Sequence, residues 1–345
     1  MGKPETMRVR GVDASDCLDF SGETIYGDFR DALVKDGFVV IKAIDPKKAA
    51  EHADNFHKYM EGFGFGYKKD DPSTWKTENL PVISEKGSEL LETAGLIMHY
   101  GVSHEDWVWK VRCEPGVVGA FEKVYGTDDL IVSFDVVNVQ WPHRKDAPPN
   151  KRWAHQDQDP ERPGFRCLQG LVNLNENGPD DGGLVVMRGG HKISEEYHDT
   201  FRDEERIWQW TNEWYGYKDT GLAWLKERGY EFEKVDAGPG DLILWDSRVP
   251  HYNVAPKGDH VRMAVYTCYA PANTATQEDL IKKKEAFDAG IGSSHWPQCL
   301  QSVKWTATRP DGTVCPANRD GPKERPQLNE REFKLTGIPY IRASA

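Results

Sequence analysis

The sequence predicts a mainly β protein with flanking helices, built on a double-stranded β-helix core of the jelly-roll, cupin-like kind. Three observations lead there. Apolar, β-rich segments at 130–140, 167–174, 184–187, 241–245 and 261–269 are short and joined by turn residues. Such a pattern favours a double-sheet roll over a parallel α/β sheet. His155 and Asp157 lie two residues apart, so on an extended strand they point to one face. His251 follows the end of a later segment, and Arg262 comes eleven residues after it. The two halves of a roll meet across its mouth, which lets residues so far apart in the chain share one site.

Taken in order, residues 1–27 read as a polar loop leading into the fold. Residues 28–35 (DFRDALVK) form a short amphipathic helix, Asp36-Gly37 a turn, and Phe38 to Ile41 a buried strand. Pro46 opens a helix running to about Met60, whose His52 and His57 are surface or packing residues. Residues 62–80 are a loop, and 87–99 (GSELLETAGLIMH) a helix. The helical pattern of 105–125 breaks at Pro115-Gly116. His99 and His104 are packing residues here, not chemistry.

Residues 130–140 read as one strand, with Phe134, Val136, Asn138 and Gln140 sharing a face. Asn138 and Gln140 then either wall a polar site or belong to an edge strand facing water. His143, in the charged loop 142–151, is the decoy ligand beside His155. Residues 193–233 read as a helical insertion dense in aromatics, packed over one end of the sheet as a satellite core. After the strand at 261–269 a helix begins near Thr276, followed by irregular chain. The expected organisation is a single domain over 1–345: helical support at 28–128, the roll at 129–270 with its insertion at 193–233, and a C-terminal extension at 271–345.

Composition narrows the partners. The chain has 345 residues and a net charge of −12, with 38% hydrophobic and 11% aromatic residues. That supports a sizeable core, and no basic stripe offsets the charge. Neither nucleic acid nor a membrane is an expected partner; a small-molecule substrate is, with the chain a monomer or homodimer. The six cysteines are scattered without a Cys-x-x-Cys pair, as in reduced intracellular thiols, so a cytoplasmic location is expected.

Two histidines and one carboxylate on one face of a metal, with open positions left, are the mark of non-heme Fe(II) oxygenases. His-x-Asp alone is a weak signal; Gly240-Asp241 through His251 and Arg262 strengthens it. A buried Arg262 requires an anionic partner. A small dicarboxylate would pair with it bidentately, and if its other end chelated iron as a 2-oxo acid it would be 2-oxoglutarate.

These motifs resemble the phytanoyl-CoA dioxygenase family of Fe(II)/2-oxoglutarate-dependent oxygenases. The resemblance is carried by Asp36 to Lys42 (DGFVVIK), His155-x-Asp157, Asp181 to Lys192 (DGGLVVMRGGHK) and Gly240-Asp241…His251…Arg262, in the family's order and over roughly residues 28–270. It implies that His155, Asp157 and His251 ligate Fe(II) and act as the catalytic centre. It also implies that Arg262 binds the distal carboxylate of 2-oxoglutarate, that Gln140 and Trp153 flank cofactor or substrate, and that His191 is structural. O2 is the co-substrate and ascorbate a possible support. Many 2-oxoglutarate oxygenases carry Ser or Thr two residues after the arginine; here that position is Ala264, so a second carboxylate partner must come from elsewhere. Related halogenases replace the iron carboxylate with a small residue, and Asp157 argues against halogenation.

The implied reaction is oxidation of an unactivated C–H bond, by hydroxylation, desaturation or cyclisation, with release of succinate and CO2. An amino acid or a secondary-metabolite intermediate fits better than an acyl-CoA, for no basic cluster suits a CoA tail. Asn138, Arg248 and Tyr340 are the candidate substrate contacts, with the 334–340 segment closing the pocket; Arg248 can equally be an ion-paired arginine. Two other classes remain: a non-catalytic cupin-like binding module, and a Zn(II) hydrolase on the same ligands, in which Arg262 would lack its partner.

Overall fold

The computed structural model describes residues 18–83, 95–147, 152–207 and 211–342. The helices are α1 (Phe29–Asp36), α2 (Pro46–Glu61), α3 (Asp106–Arg112), α4 (Pro115–Tyr125), α5 (Gly190–Thr200), α6 (Asp219–Glu227), α7 (Gln277–Ala289) and α8 (Glu330–Lys334). The first strands are β1 (Phe38–Lys42), β2 (Leu96–Ile97), β3 (Leu130–Val132), β4 (Val137–Gln140), β5 (His155–Gln156), β6 (Leu168–Asn173) and β7 (Gly183–Met187). There follow β8 (Tyr215–Gly216), β9 (Phe232–Lys234), β10 (Asp241–Asp246), β11 (His251–Val254), β12 (Arg262–Tyr266), β13 (Tyr269–Pro271), β14 (Gly292–Ser293) and β15 (Ser302–Val303).

Two antiparallel sheets form the roll. The larger runs β1-β10-β6-β12-β4-β2 and the smaller β8-β5-β11-β7-β9. Strand alternation sorts the larger sheet's side chains between two layers. Leu242 and Leu244 of β10, and Met263 and Val265 of β12, join the core beneath the N-terminal helices. Their neighbours Ile243, Trp245 and Ala264 turn inward and meet Leu184 and Val186 of the smaller sheet. The helical support thus covers the outer face, and the inner face is left for a site.

Local signals set the helix ends. Asp28 caps α1 by accepting from the Arg30 N–H, and Asp45 precedes Pro46 at the start of α2. Gly37 ends α1 at φ 80°, where a Cβ would lie 2.4 Å from His191 Nδ1. The His191 ring donates from Nε2 to the Val34 carbonyl. It pins α1 to the roll, the structural role expected of it.

Four expectations need correction. The helix expected at 87–99 lies mainly outside the described residues, and its end, Leu96–Ile97, is an edge strand beside β4. Residues 130–140 are two strands in different sheets, β3 with β13 and β4 with β12. The 261–269 segment divides in the same place, so the two partners leave the large sheet together. Within that bend the Phe134 N–H donates to Ser293 Oγ, and its carbonyl accepts from the Ser293 N–H. Phe134 goes into the outer core instead of sharing a face with Asn138. Finally, the 193–233 insertion is not wholly helical. Its β8 pairs with β5 and its β9 with β7, closing both edges of the small sheet. Among the described residues no helix is long and apolar enough to cross a membrane.

Candidate active site

β5 and β11 are adjacent and antiparallel, and their register places His155 directly opposite His251. The two rings lie 4.3 Å apart, centroid to centroid. Asp157 follows two residues after His155. Its carboxylate sits 3.7 Å from His155 Nε2 and 3.4 Å from His251 Nε2. One ligand atom from each residue falls within 4.8 Å of the others, a geometry that could hold a metal ion.

The imidazoles are oriented for that purpose. His155 Nδ1 lies 2.9 Å from the Trp153 carbonyl, and His251 Nδ1 lies 2.9 Å from the Val249 carbonyl. A carbonyl can only accept, so each Nδ1 carries the proton and each Nε2 keeps a lone pair. Trp153 stacks on the His155 ring at 4.3 Å and 13°. Gln169, on the inner face of β6, donates to Asp157 Oδ2 at 2.9 Å, a support typical of metal carboxylates.

Electrostatics agree with the geometry. Burial pushes His155 down to about 4, and nearby His251 adds to the shift. The ring is therefore neutral at ordinary pH, as a ligand must be. Burial would raise the Asp157 carboxyl, but His155, His295 and His251 around it hold it below the usual carboxylate range. The neutral His155 ring beside the ionised Asp157 carboxylate makes a group that attracts a cation.

Arg262 stands on the inner face of β12, opposite Gln140 of β4. It is 2% exposed, and Nη1 reaches Gln140 Oε1 at 3.4 Å. Its Nη2 is buried with no hydrogen-bond partner. A buried guanidinium without a counter-anion is costly, so this atom fits the carboxylate of a bound ligand. Tyr266 lies on the same face two pleats along, interacts with Arg262 through its hydroxyl, and lines the cavity. Burial raises the Tyr266 phenol against the pull of Arg262, so it remains a neutral donor. Ala264 offers no hydroxyl on this face, and Tyr266 does, at a position the period-2 pattern itself could have pointed to.

The triad opens on a cavity of about 320 Å³. Its walls come from the roll, from 211–214 of the insertion and from 293–305 of the C-terminal extension. The candidate residues divide clearly. His155, Asp157, His251 and Trp153 line the cavity, while Arg262 and Gln140 stand behind Tyr266. Asn138 is buried opposite Ala264, not in the lining.

Two substrate candidates lie elsewhere. Arg248 makes a two-pronged pair with Asp246 and lies over Phe20, which is the ion-paired alternative. Tyr340 donates to Asp129 and packs near Ile131 and Leu280. The 334–340 segment therefore braces β3 from its outer side and is not part of the cavity lining. His143, paired with exposed Asp259, is remote from the triad. Asp135, His295 and Trp305 were not legible in the sequence, since the bend and the extension that bring them here carry no periodic signal; Gln169 lies on a predicted strand, and its alternation was the signal that could have found it.

The phytanoyl-CoA dioxygenase (PhyH) family profile matches residues 33–264. The chain is 37% identical over 284 residues to Ava biosynthesis cluster protein O of Aspergillus versicolor, covering 81% of this chain and 89% of that protein. A putative phytanoyl-CoA dioxygenase of Dictyostelium discoideum is 23% identical over 300 residues, 75% of this chain and 79% of that one. Among solved structures, SnoK, a non-heme α-ketoglutarate-dependent carbocyclase from nogalamycin biosynthesis, superposes with a TM-score of 0.49 at 15% identity. That match covers 72% of this chain and 85% of SnoK. With the metal-ready triad and the family match across most of its length, the chain belongs to the phytanoyl-CoA dioxygenase family of Fe(II)/2-oxoglutarate-dependent oxygenases.

Proposed function

We propose that this chain oxidises an unactivated C–H bond of a small-molecule intermediate in a biosynthetic pathway. His155 Nε2, Asp157 and His251 Nε2 hold Fe(II); Arg262 and Tyr266 hold the distal carboxylate of 2-oxoglutarate. The observation that carries this reading is the triad itself, with both imidazoles proton-fixed at Nδ1 and turned toward one carboxylate. The orphaned Arg262 Nη2 supports the co-substrate and counts against a zinc hydrolase, which has no use for a buried cation there. The biosynthetic setting is supported by the name of the Aspergillus versicolor relative.

Bound iron and 2-oxoglutarate together supply the oxidising chemistry: O2 and 2-oxoglutarate give succinate and CO2 as the substrate C–H bond is oxidised. The chain's residues do the positioning. Trp153 and Trp245 hold the two imidazoles against rotation by ring contact. Gln169 fixes one oxygen of Asp157. Arg262 and Tyr266 orient the co-substrate from the inner face of β12, and the aromatic walls exclude bulk water.

The test is direct. Anaerobic addition of Fe(II) and 2-oxoglutarate should produce the visible charge-transfer absorption of a chelated 2-oxo acid, and O2 should then yield succinate. Absence of both signals from the full chain, with zinc retained in the purified protein, would reject the reading.

A further inference from the structure

The cavity wall has an unusual division of polarity. Trp153, Trp214, Trp245, Trp296 and Trp305 supply broad aromatic faces. Among the described lining residues there is no lysine or arginine. Three carboxylates face the space: Asp157, Glu213 and Asp135. Asp157 belongs to the triad. Glu213 is already neutralised, because Arg166 grips it at 2.6 and 2.8 Å and Arg162 reaches it at 3.1 Å. Asp135 has no such cation. One of its oxygens accepts the N–H of its own neighbour Val136 at 2.8 Å. Buried Arg112 is near, but its guanidinium donates to the Asp135 backbone carbonyl and the Ser103 carbonyl, not to the carboxylate. Beside Asp135 stands His295, whose Nε2 is buried without a partner.

Resting on the reading of this cavity as the substrate site, we propose that the substrate is an aromatic molecule bearing a basic nitrogen, and that the Asp135 carboxylate binds that nitrogen. Aromatic faces attract a desolvated cation, and tryptophan does so best. A carboxylate that no lysine or arginine grips on the same wall gives the cation its direction. A free substrate carboxylate or phosphate would meet the Asp135 carboxylate and, among the described lining residues, no lysine or arginine. His295 adds a buried polar atom, Nε2, to the same wall. Asp135 reaches the cavity only because β3 and β4 part at residues 133–136; on an unbroken strand it would share the outward parity of Val137. Burial pushes its carboxyl up to about 6 against the pull of His295, which leaves it ionised at neutral pH.

The experiment uses three indole probes of like shape: tryptamine, 3-ethylindole and indole-3-propionate. The full chain is first loaded anaerobically with Fe(II) and 2-oxoglutarate and its charge-transfer band recorded. Calorimetric titration should then rank tryptamine at least about tenfold tighter than 3-ethylindole, with indole-3-propionate weakest. Asp135→Asn keeps the acceptor for the Val136 N–H; it should bring tryptamine to within about threefold of 3-ethylindole and leave the band unchanged. Tryptamine binding no tighter than 3-ethylindole, indole-3-propionate binding best, or no probe binding at all in the wild type would each overturn the proposal, whatever the variant does. A missing band instead strikes the oxygenase reading, and the probe ranking on the unloaded chain still decides the nitrogen.

Discussion

His155 and His251 are direct cross-strand partners, with rings 4.3 Å apart and each ring held by the carbonyl two residues before it. The metal-facing nitrogens are therefore positioned by strand register, not by flexible loops. Replacing either histidine by alanine should abolish stoichiometric iron binding. The loss should exceed the roughly 10–100-fold that removal of an outer partner costs. Iron content after anaerobic loading, measured by elemental analysis, checks it; retained stoichiometric iron would remove these residues from the site.

Gln169 touches no metal-facing atom except through Asp157. Gln169→Leu should weaken Fe(II) affinity by about 10–100-fold while leaving 2-oxoglutarate affinity at saturating iron nearly unchanged. Titrating the two ligands separately distinguishes this from general destabilisation, which would lower both.

On the proposed reading, Arg262 and Tyr266 share the distal carboxylate of 2-oxoglutarate. Arg262→Met should abolish saturable 2-oxoglutarate binding. Tyr266→Phe should weaken it about 10-fold, in line with one hydrogen bond to a charged group. In the Tyr266→Phe background, Ala264→Ser restores part of the lost affinity, since a hydroxyl then returns to the same inner face of β12. Charge-transfer titrations give all three values, and an unchanged value for Tyr266→Phe would contradict the assignment.

Acid should destabilise the fold through buried histidines that are not triad ligands. Burial lowers His104 from 6.5 to about 3 and His198 from 6.5 to about 4. Below pH 6.5 the unfolded chain binds these protons and the folded chain does not, so stability falls as pH falls from 6.5 toward these values. Each group contributes up to about 1.4 kcal/mol per pH unit across its window. Urea unfolding of the metal-free chain at pH 7 and pH 5.5 should show the loss, and His104→Gln should make the slope shallower.

The C-terminal extension has two parts with different consequences. Trp305 lines the cavity, so Trp305→Ala should raise substrate KM or change substrate choice while iron binding stays intact. Tyr340 sits against Asp129. Tyr340→Phe should cost about 1 kcal/mol of stability and leave turnover within about twofold, which steady-state kinetics and thermal melting together can check.

Much of this site was legible because it obeys local rules. His155, Asp157, His251 and Arg262 stand out through spacing on strands, and the inward parity of Asn138 and Gln140 follows from the same alternation. Helix ends at Asp28, Gly37 and Pro46 were readable from cap chemistry. The failures share a cause. Residues 130–140 and 261–269 read as continuous strands, since β-branched and aromatic residues recur along each without a Gly or Pro, but both bend at the same level. A bend shared by two partners is a property of their pairing and leaves no mark in either segment alone.

The sequence by itself determined the roll, the metal-ready triad, the buried arginine and the absence of a hydroxyl at position 264. Periodicity and residue type are enough for these, because strand geometry converts spacing directly into a shared face. Only the tertiary structure decided that Asp135 and His295 face the cavity, and that Tyr340 and Arg248 do not. Those placements depend on where the chain breaks from one sheet to the next and on which part of an aperiodic extension lies across the mouth. They are long-range packing choices, made by burial and ion pairing among residues distant in the chain.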